Sequence, residues 1–240
     1  MKRAPRWGID LGVYVKAIPL LVRNPAIVVV PLLMAVVGVL IGLVLTPSGG
    51  GLVGSATSGI GGLIVVLLRF FGVGTACIIA DEAWRRGRAS FDNGWTEARR
   101  RGGDILYASL GITFLFWLLQ YASTLIGLVA ILLTAVAVYF LIWAIPAAAV
   151  GGIRGGDAIQ VSIDRVRANP LPAAIAAVVT VFVFFAAILG SAALIGTVIV
   201  YTGGGLVDRL IDALVQATAD SYIALIITKT YTDASFTRGW

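Results

Sequence analysis

Residues 105–150 read ILYASLGITFLFWLLQYASTLIGLVAILLTAVAVYFLIWAIPAAAV, without a single charged side chain. One helical crossing of a bilayer needs ~20 apolar residues, so a run more than twice that long predicts two crossings folded as a hairpin. Ala122-Ser123-Thr124, near its middle, is the expected turn. Arg99, Arg100 and Arg101 precede the run and Arg154 follows it, so both ends of the hairpin emerge on the same, arginine-rich side.

Working outward, the same reading finds four more crossings. An uncharged run at 26–46 is stopped by the breakers at 47–51, and a second covers 60–80 with Arg69 alone inside it. A fifth covers 171–201, longer than one crossing needs, so it is tilted, broken near Gly190-Ser191, or continued beyond the membrane. The sixth, at about 206–230, contains Asp208, Arg209, Asp212 and Asp220. Six spans use up most of the 240 residues, and 59% apolar residues, 12% charged residues and a mean hydropathy of +0.98 suit no water-soluble surface. The expected fold is all-α: one polytopic membrane domain over 1–240 with six transmembrane helices.

Of the 18 Lys and Arg residues, all but Arg69 and Arg209 lie in the amino-terminal segment, in 81–104, in 151–170 or in the tail. By the positive-inside rule, both termini are expected in the cytoplasm. Met1-Lys2-Arg3 opens like a secretory signal, but Asp10 and Lys16 interrupt the apolar stretch, so the segment is expected to be retained.

The arginine-rich segments share a pattern. Trp7, Leu11, Tyr14, Ile18 and Leu21 fall on one helical face; so do Phe91, Trp95, Ala98, Gly102 and Ile105, and then Ile159, Ile163, Val166 and Pro170. Arg23-Asn24-Pro25 leads into span one and Arg167-Ala168-Asn169-Pro170 into span five, with proline suited to the first helical turn. Arg101-Gly102-Gly103-Asp104 holds the middle position. The pattern predicts three repeats of an amphipathic helix plus a transmembrane hairpin, with units of about 1–80, 81–150 and 151–240.

Two readings of the amphipathic helices stand side by side. They lie at headgroup level, with Arg85, Arg86, Arg99, Arg100 and Arg101 on anionic phosphates and Trp7 and Trp95 as anchors; or they form a collar that docks a membrane-protein partner or a second copy. The expected partners are therefore membrane lipids with anionic headgroups, with a membrane protein or homo-oligomer as a further possibility, and no nucleic acid.

Inside the membrane, Arg69 is too far from either surface to reach a headgroup unaided. On span six, Asp208, Asp212, Gln216 and Asp220 recur every four residues as a polar stripe. Unpaired charges at the centre of a helix carry a penalty of about 2.5–3.5 kcal/mol each, so Asp220 is the expected partner of Arg69. Read structurally, the pair fixes span two against span six. Read functionally, Asp212 and Asp220 bind a proton or cation and Arg69 an anion along a wetted path. In a third reading, Asp220 sits at the outer interface and pairs with nothing. Gln120 and Tyr121 are expected at the outer interface, Tyr139 and Trp143 in the aromatic belt or in packing, and Lys229 at the cytoplasmic surface. Gly38 with Gly42, Gly62 with Ala76, and Ala186 with Gly190 are expected to let helices approach closely.

Little catalytic chemistry is available. Histidine is absent and Cys77 is the lone cysteine, so no metal site or cofactor is expected. No phosphate-binding loop, nucleophile elbow or HExxH occurs. Asp92-Asn93-Gly94-Trp95-Thr96-Glu97-Ala98-Arg99 approximates the start of the phospholipid alcohol-transferase motif. Asn93 splits its Asp-Gly pair and its later aspartates are missing. The adjacent Asp81 and Glu82 point about 100° apart on a helix and are poorly placed to share a metal.

Pro25 at the start of span one, the 91–101 segment with Gly94, and the 158–170 segment ending Arg-Ala-Asn-Pro give the chain its family likeness. It resembles a group of six-helix prokaryotic membrane proteins that includes the membrane domain attached to some glycerophosphodiester phosphodiesterases. The resemblance implies a catalytically silent module of the prokaryotic cytoplasmic membrane, since that family's chemistry resides in an attached soluble domain. The expected function is a structural or accessory role in the membrane. The alternative is a small-solute or ion transporter using the polar path near Arg69 and Asp220.

Overall fold

The computed structural model describes residues 10–45, 52–202 and 205–236. They form nine helices and no strand: α1 (Gly12–Arg23), α2 (Ala26–Leu45), α3 (Leu52–Arg86), α4 (Phe91–Ile126), α5 (Leu128–Leu141), α6 (Ala144–Ala149), α7 (Gly155–Ala168), α8 (Pro170–Thr202) and α9 (Leu206–Phe236). Six segments are long and apolar enough to cross a membrane: Ala26–Val44, Ile60–Arg86, Phe91–Leu119, Leu132–Ala149, Pro170–Thr197 and Leu206–Ala234. That is the composition of a multi-pass integral membrane protein.

The 105–150 run does fold as two helices, but they meet at Gly127 and not at Ala122-Ser123-Thr124. Gly127 has φ 49°, a conformation glycine alone adopts without steric penalty, whereas the residues before it continue α4. The second crossing is then interrupted at Ile142 and Trp143, between α5 and α6. Pro146 explains the break, because it has no N–H for the Ile142 carbonyl and its ring crowds that group. Ser162 of α7 repairs the opened backbone: its hydroxyl donates to the Phe140 carbonyl at 2.8 Å and accepts from the Trp143 N–H at 3.2 Å. Irregular backbone survives in a membrane protein where the surrounding protein satisfies it in this way. The long fifth span is one unbroken helix, α8, of 33 residues.

At two of the three expected junctions the local geometry is nearly the same. Asn24 ends α1 with φ −128° and ψ 70°, and Asn169 ends α7 with φ −135° and ψ 65°. The following proline drives each asparagine out of the helical region, and its side-chain amide then donates to the carbonyl four residues back, Leu20 at 2.9 Å and Arg165 at 3.2 Å. The middle junction differs: residues 91–126 are one continuous helix, α4, because no proline interrupts it.

The amphipathic faces also need adjustment. In α1 the buried residues are Val13 and Ala17; Tyr14 and Leu21 pack against the core, while Leu11 and Ile18 are exposed together with Val15 and Val22. In α4 the expected face is the packed one, with Ala98, Gly102 and Ile105 buried. Trp95 is half-buried: it stacks on Phe91 and meets the edge of Phe71, so part of its ring packs against protein. In α7 Val166 is buried, and Ile159 packs against the core. Trp7 lies outside the described residues, as do the side chains of Gln120 and Tyr121.

The hydrophobic core lies at one end of the bundle. Its members come from α1 (Ala17), the start of α2 (Ile27, Val30), the second half of α3 (Val73 to Ala83), the middle of α4 (Ile105 to Ile112), 141–149, α7, the start of α8 and the second half of α9 (Ile223 to Ala234). This is the end that carries α1, α6, α7 and most of the described arginines, and we call it the basic end. Glycine makes the close approaches there: a Cβ on Gly155 would stand 2.6 Å from the Asp104 carbonyl oxygen, and one on Gly94 would collide with the Ile79 side chain. Of the expected small-residue contacts, Gly38 against Val65 and the buried Ala76 are close. Ala186 is exposed, and a Cβ on Gly42, Gly62 or Gly190 would meet nothing within 4 Å.

Candidate functional site: a charged cluster where the packed core ends

Arg69 occupies the midpoint of the 35-residue α3, about 25 Å from either end by helical rise. It lies one turn before Val73, where the core of that helix begins. Asp220 lies on α9 immediately before its own core stretch, so packing α3 against α9 in register brings the two together. Arg69 Nε donates to Asp220 Oδ2 at 2.7 Å and Nη2 to Oδ1 at 2.7 Å, a two-pronged pair that uses both carboxylate oxygens. Gln216, one turn earlier on α9, accepts from the same Nη2 at 3.0 Å. Phe184 of α8 covers the guanidinium, its ring centre 5.2 Å from Cζ.

The pairing expected from charge alone is thus present, and the reading in which Asp220 sits alone is overturned. Parallel N–H···O bonds to a carboxylate are among the strongest charge-assisted contacts and fix orientation as well as distance. The burial is unequal: 9% of the Asp220 side chain is exposed against 37% for Arg69. The carboxylate is therefore sealed, while the guanidinium keeps an open edge.

The rest of the stripe is not drawn in. Asp212 is half-buried, adds its negative potential at Arg69, and forms no hydrogen bond or ion pair among the described residues. Asp208 serves its own helix, accepting the Gly205 N–H at 3.0 Å at the start of α9. Ser221 reaches across to α2, donating to the Ile27 carbonyl at 3.2 Å and to Ala217 at 2.6 Å.

At the basic end, the arginines expected to meet phosphates have carboxylates of their own. Arg85 pairs with Asp81 at 2.6 Å, Arg86 with Glu82 at 3.0 Å and Arg100 with Glu97 at 2.7 Å, while Arg99 stands exposed on α4. Three of these, Arg85, Arg86 and Arg100, leave most of the side chain exposed. Arg101 is different: besides Glu97, its Nη1 donates to the Ala149 and Val150 carbonyls at 2.9 Å each, capping the C-terminal end of α6. Its role here is to hold α4 to α6. Lys229 pairs with Asp233 at 2.6 Å.

Three participants carry little or no signal in the sequence. Phe184 carries no signal beyond apolarity. Ser162 lacks one too, because the break it repairs falls inside an uncharged run that reads as continuous helix. Asn24 had a signal in the Asn-Pro dipeptide. It is 3% exposed, donates to the Gly87 carbonyl at 3.3 Å and accepts the Ala89 N–H at 2.9 Å, tying the α1–α2 junction to the α3–α4 loop. Trp143, expected in the belt or in packing, is fully buried, with its ring N–H on Thr230 at 3.0 Å. Comparison of the chain with protein-family models, curated proteins and solved structures gave no match.

Proposed function

We propose that this protein is a non-enzymatic structural or accessory module of a prokaryotic cytoplasmic membrane. It forms one domain over 1–240, with its basic end and both termini on the cytoplasmic side. The observation that carries this reading is the Arg69–Asp220–Gln216 cluster with its buried carboxylate. Its carboxylate has both oxygens engaged and is sealed from solvent, which suits a lock between α3 and α9 better than a site that takes and releases an ion. Support for a silent module also comes from the lack of histidine and of any complete catalytic motif. The arginine distribution supports the orientation. The matching Asn24 and Asn169 junctions support a repeated unit of interfacial helix and hairpin.

A second reading, a small-solute or ion transporter, has one observation in its favour: Arg69 keeps 37% of its side chain exposed, with the half-buried Asp212 nearby. Proteoliposomes decide between the two. With proton- and anion-sensitive dyes inside, vesicles holding the protein are expected to match empty ones under an imposed pH or anion gradient. A flux in the parent that R69Q or D220N abolishes would overturn the structural reading in favour of transport.

A further inference from the structure

The Asn24 clamp brings together residues distant in sequence. On one side is the α1–α2 junction with Arg23, Asn24, Pro25 and Ala26; on the other is the α3–α4 loop with Arg86, Gly87, Arg88 and Ala89. Between them lies a cleft of about 760 Å³. Three of the residues that line it are arginines, Arg23, Arg86 and Arg88, and none is an aspartate or glutamate. Arg23 and Arg88 form no hydrogen bond or ion pair among the described residues, and Arg86 is held by Glu82 through Nη1. The walls are fixed independently of any ligand: Asn24 bonds to both sides of Arg88, Glu82 accepts the Ser90 N–H at 3.2 Å, and Gly87 ends α3 with φ 77°. Arg23 and Arg88 are exposed cations without a counter-ion, and Arg86 shares its charge with Glu82 through one nitrogen only, so an anion placed among the three relieves their repulsion.

The surroundings specify which anion. Immediately before Arg23, α1 shows the exposed apolar row Leu11, Val15, Ile18 and Val22. One turn beyond Ala26, α2 begins another with Val29, Leu33, Val37 and Leu40. A cationic cleft at the junction of two helices that each carry an exposed apolar row matches an amphiphile: phosphate in the cleft, acyl chains along a helix. We propose that this cleft binds the phosphate of an anionic phospholipid, with Arg23, Arg86 and Arg88 as its ligands and the α2 face seating its chains. A soluble phosphate compound shares the headgroup chemistry but makes no use of the apolar rows. The proposal does not depend on whether the Arg69 cluster is a lock or a path, since flux and lipid binding are read separately.

The test is a titration of the full chain in detergent micelles with dioleoyl phosphatidate, with occupancy read by native mass spectrometry. The parent is expected to bind one phosphatidate in preference to phosphatidylcholine. R23Q/R88Q should weaken binding by ~10-fold or more for each guanidinium lost. R154Q/R209Q, which removes the same charge outside the cleft, should change it less than ~3-fold. Asn24→Ala, which frees the loop without changing charge, should weaken it as well. Should R23Q/R88Q not elute as a single folded species, R88Q alone carries the reading, with one guanidinium's loss. Equal weakening by R154Q/R209Q would reduce the effect to general charge and overturn the site, as would equal binding of phosphatidylcholine. Displacement of phosphatidate by equimolar inorganic phosphate or glycerol 3-phosphate would overturn the lipid and assign the cleft to a soluble phosphate compound.

Discussion

The two halves of this bundle are built on different rules. At the basic end, helices are drawn together by alanine and glycine, and every break in the backbone is met by a side chain: Ser162 at Phe140 and Trp143, Arg101 at Ala149 and Val150, Asn24 at Gly87 and Ala89. At the far end, the same helices leave large apolar side chains uncovered on more than one face. Leu63, Ile64 and Val66 of α3 are all exposed, as are Phe184, Phe185 and Leu189 of α8. A bundle in water could not keep such a half, whereas a bilayer solvates it without penalty. The contrast shows where specificity resides: polar and small residues define the basic half, lipid contacts suffice for the far half, and Arg69–Asp220 marks the boundary.

That contrast can be broken by pairs of matched substitutions, with stability read as reversible unfolding in mixed micelles. The largest difference is expected for tryptophan. Trp143→Ala removes a fully buried side chain and the partner of Thr230, and should destabilise by about 3–5 kcal/mol, whereas Trp117→Ala, 58% exposed in the far half, should stay below ~1 kcal/mol. Next comes glycine: Gly155→Ala drives a methyl against the backbone of α4, and a loss of about 1–3 kcal/mol is expected, while Gly190→Ala should lie within ~0.5 kcal/mol of the parent. Ser162→Ala, which unpairs the Phe140 carbonyl and the Trp143 N–H, should lose about 1–2 kcal/mol; Thr197→Ala, removing an exposed bond to Leu194, should lose less than ~0.5 kcal/mol. Equal losses within the pairs would mean that the far half is packed as specifically as the basic one.

Much of this fold can be read from charge and length. The six crossings follow from apolar runs, and the partner of Arg69 follows because an arginine at mid-helix and an aspartate on another span leave few alternatives. Details set by a single backbone event are less accessible. The turn was expected at the polar Ala122-Ser123-Thr124, but Gly127 makes it, since a tight reversal needs positive φ more than polarity. Pro146 announced the α5–α6 break, yet the uncharged run around it hid the signal. The packing of Trp95 on Phe71 and Phe91 is hidden because an amphipathic pattern does not say how much of its apolar face meets lipid and how much meets protein. The arginine cleft was hidden for a similar reason: Arg23 and Arg88 meet only through Asn24, across more than sixty residues.

The central claim, that Arg69 and Asp220 lock the edge of the packed half, is tested most directly by a double-mutant cycle. R69Q should cost about 3–5 kcal/mol, because it leaves the sealed Asp220 carboxylate without its partner, and D220N about 1–3 kcal/mol, because Arg69 keeps Gln216 and an open edge. R69Q/D220N should recover more than half of the summed loss. Additive losses in the double variant, or single variants as stable as the parent, would contradict the account.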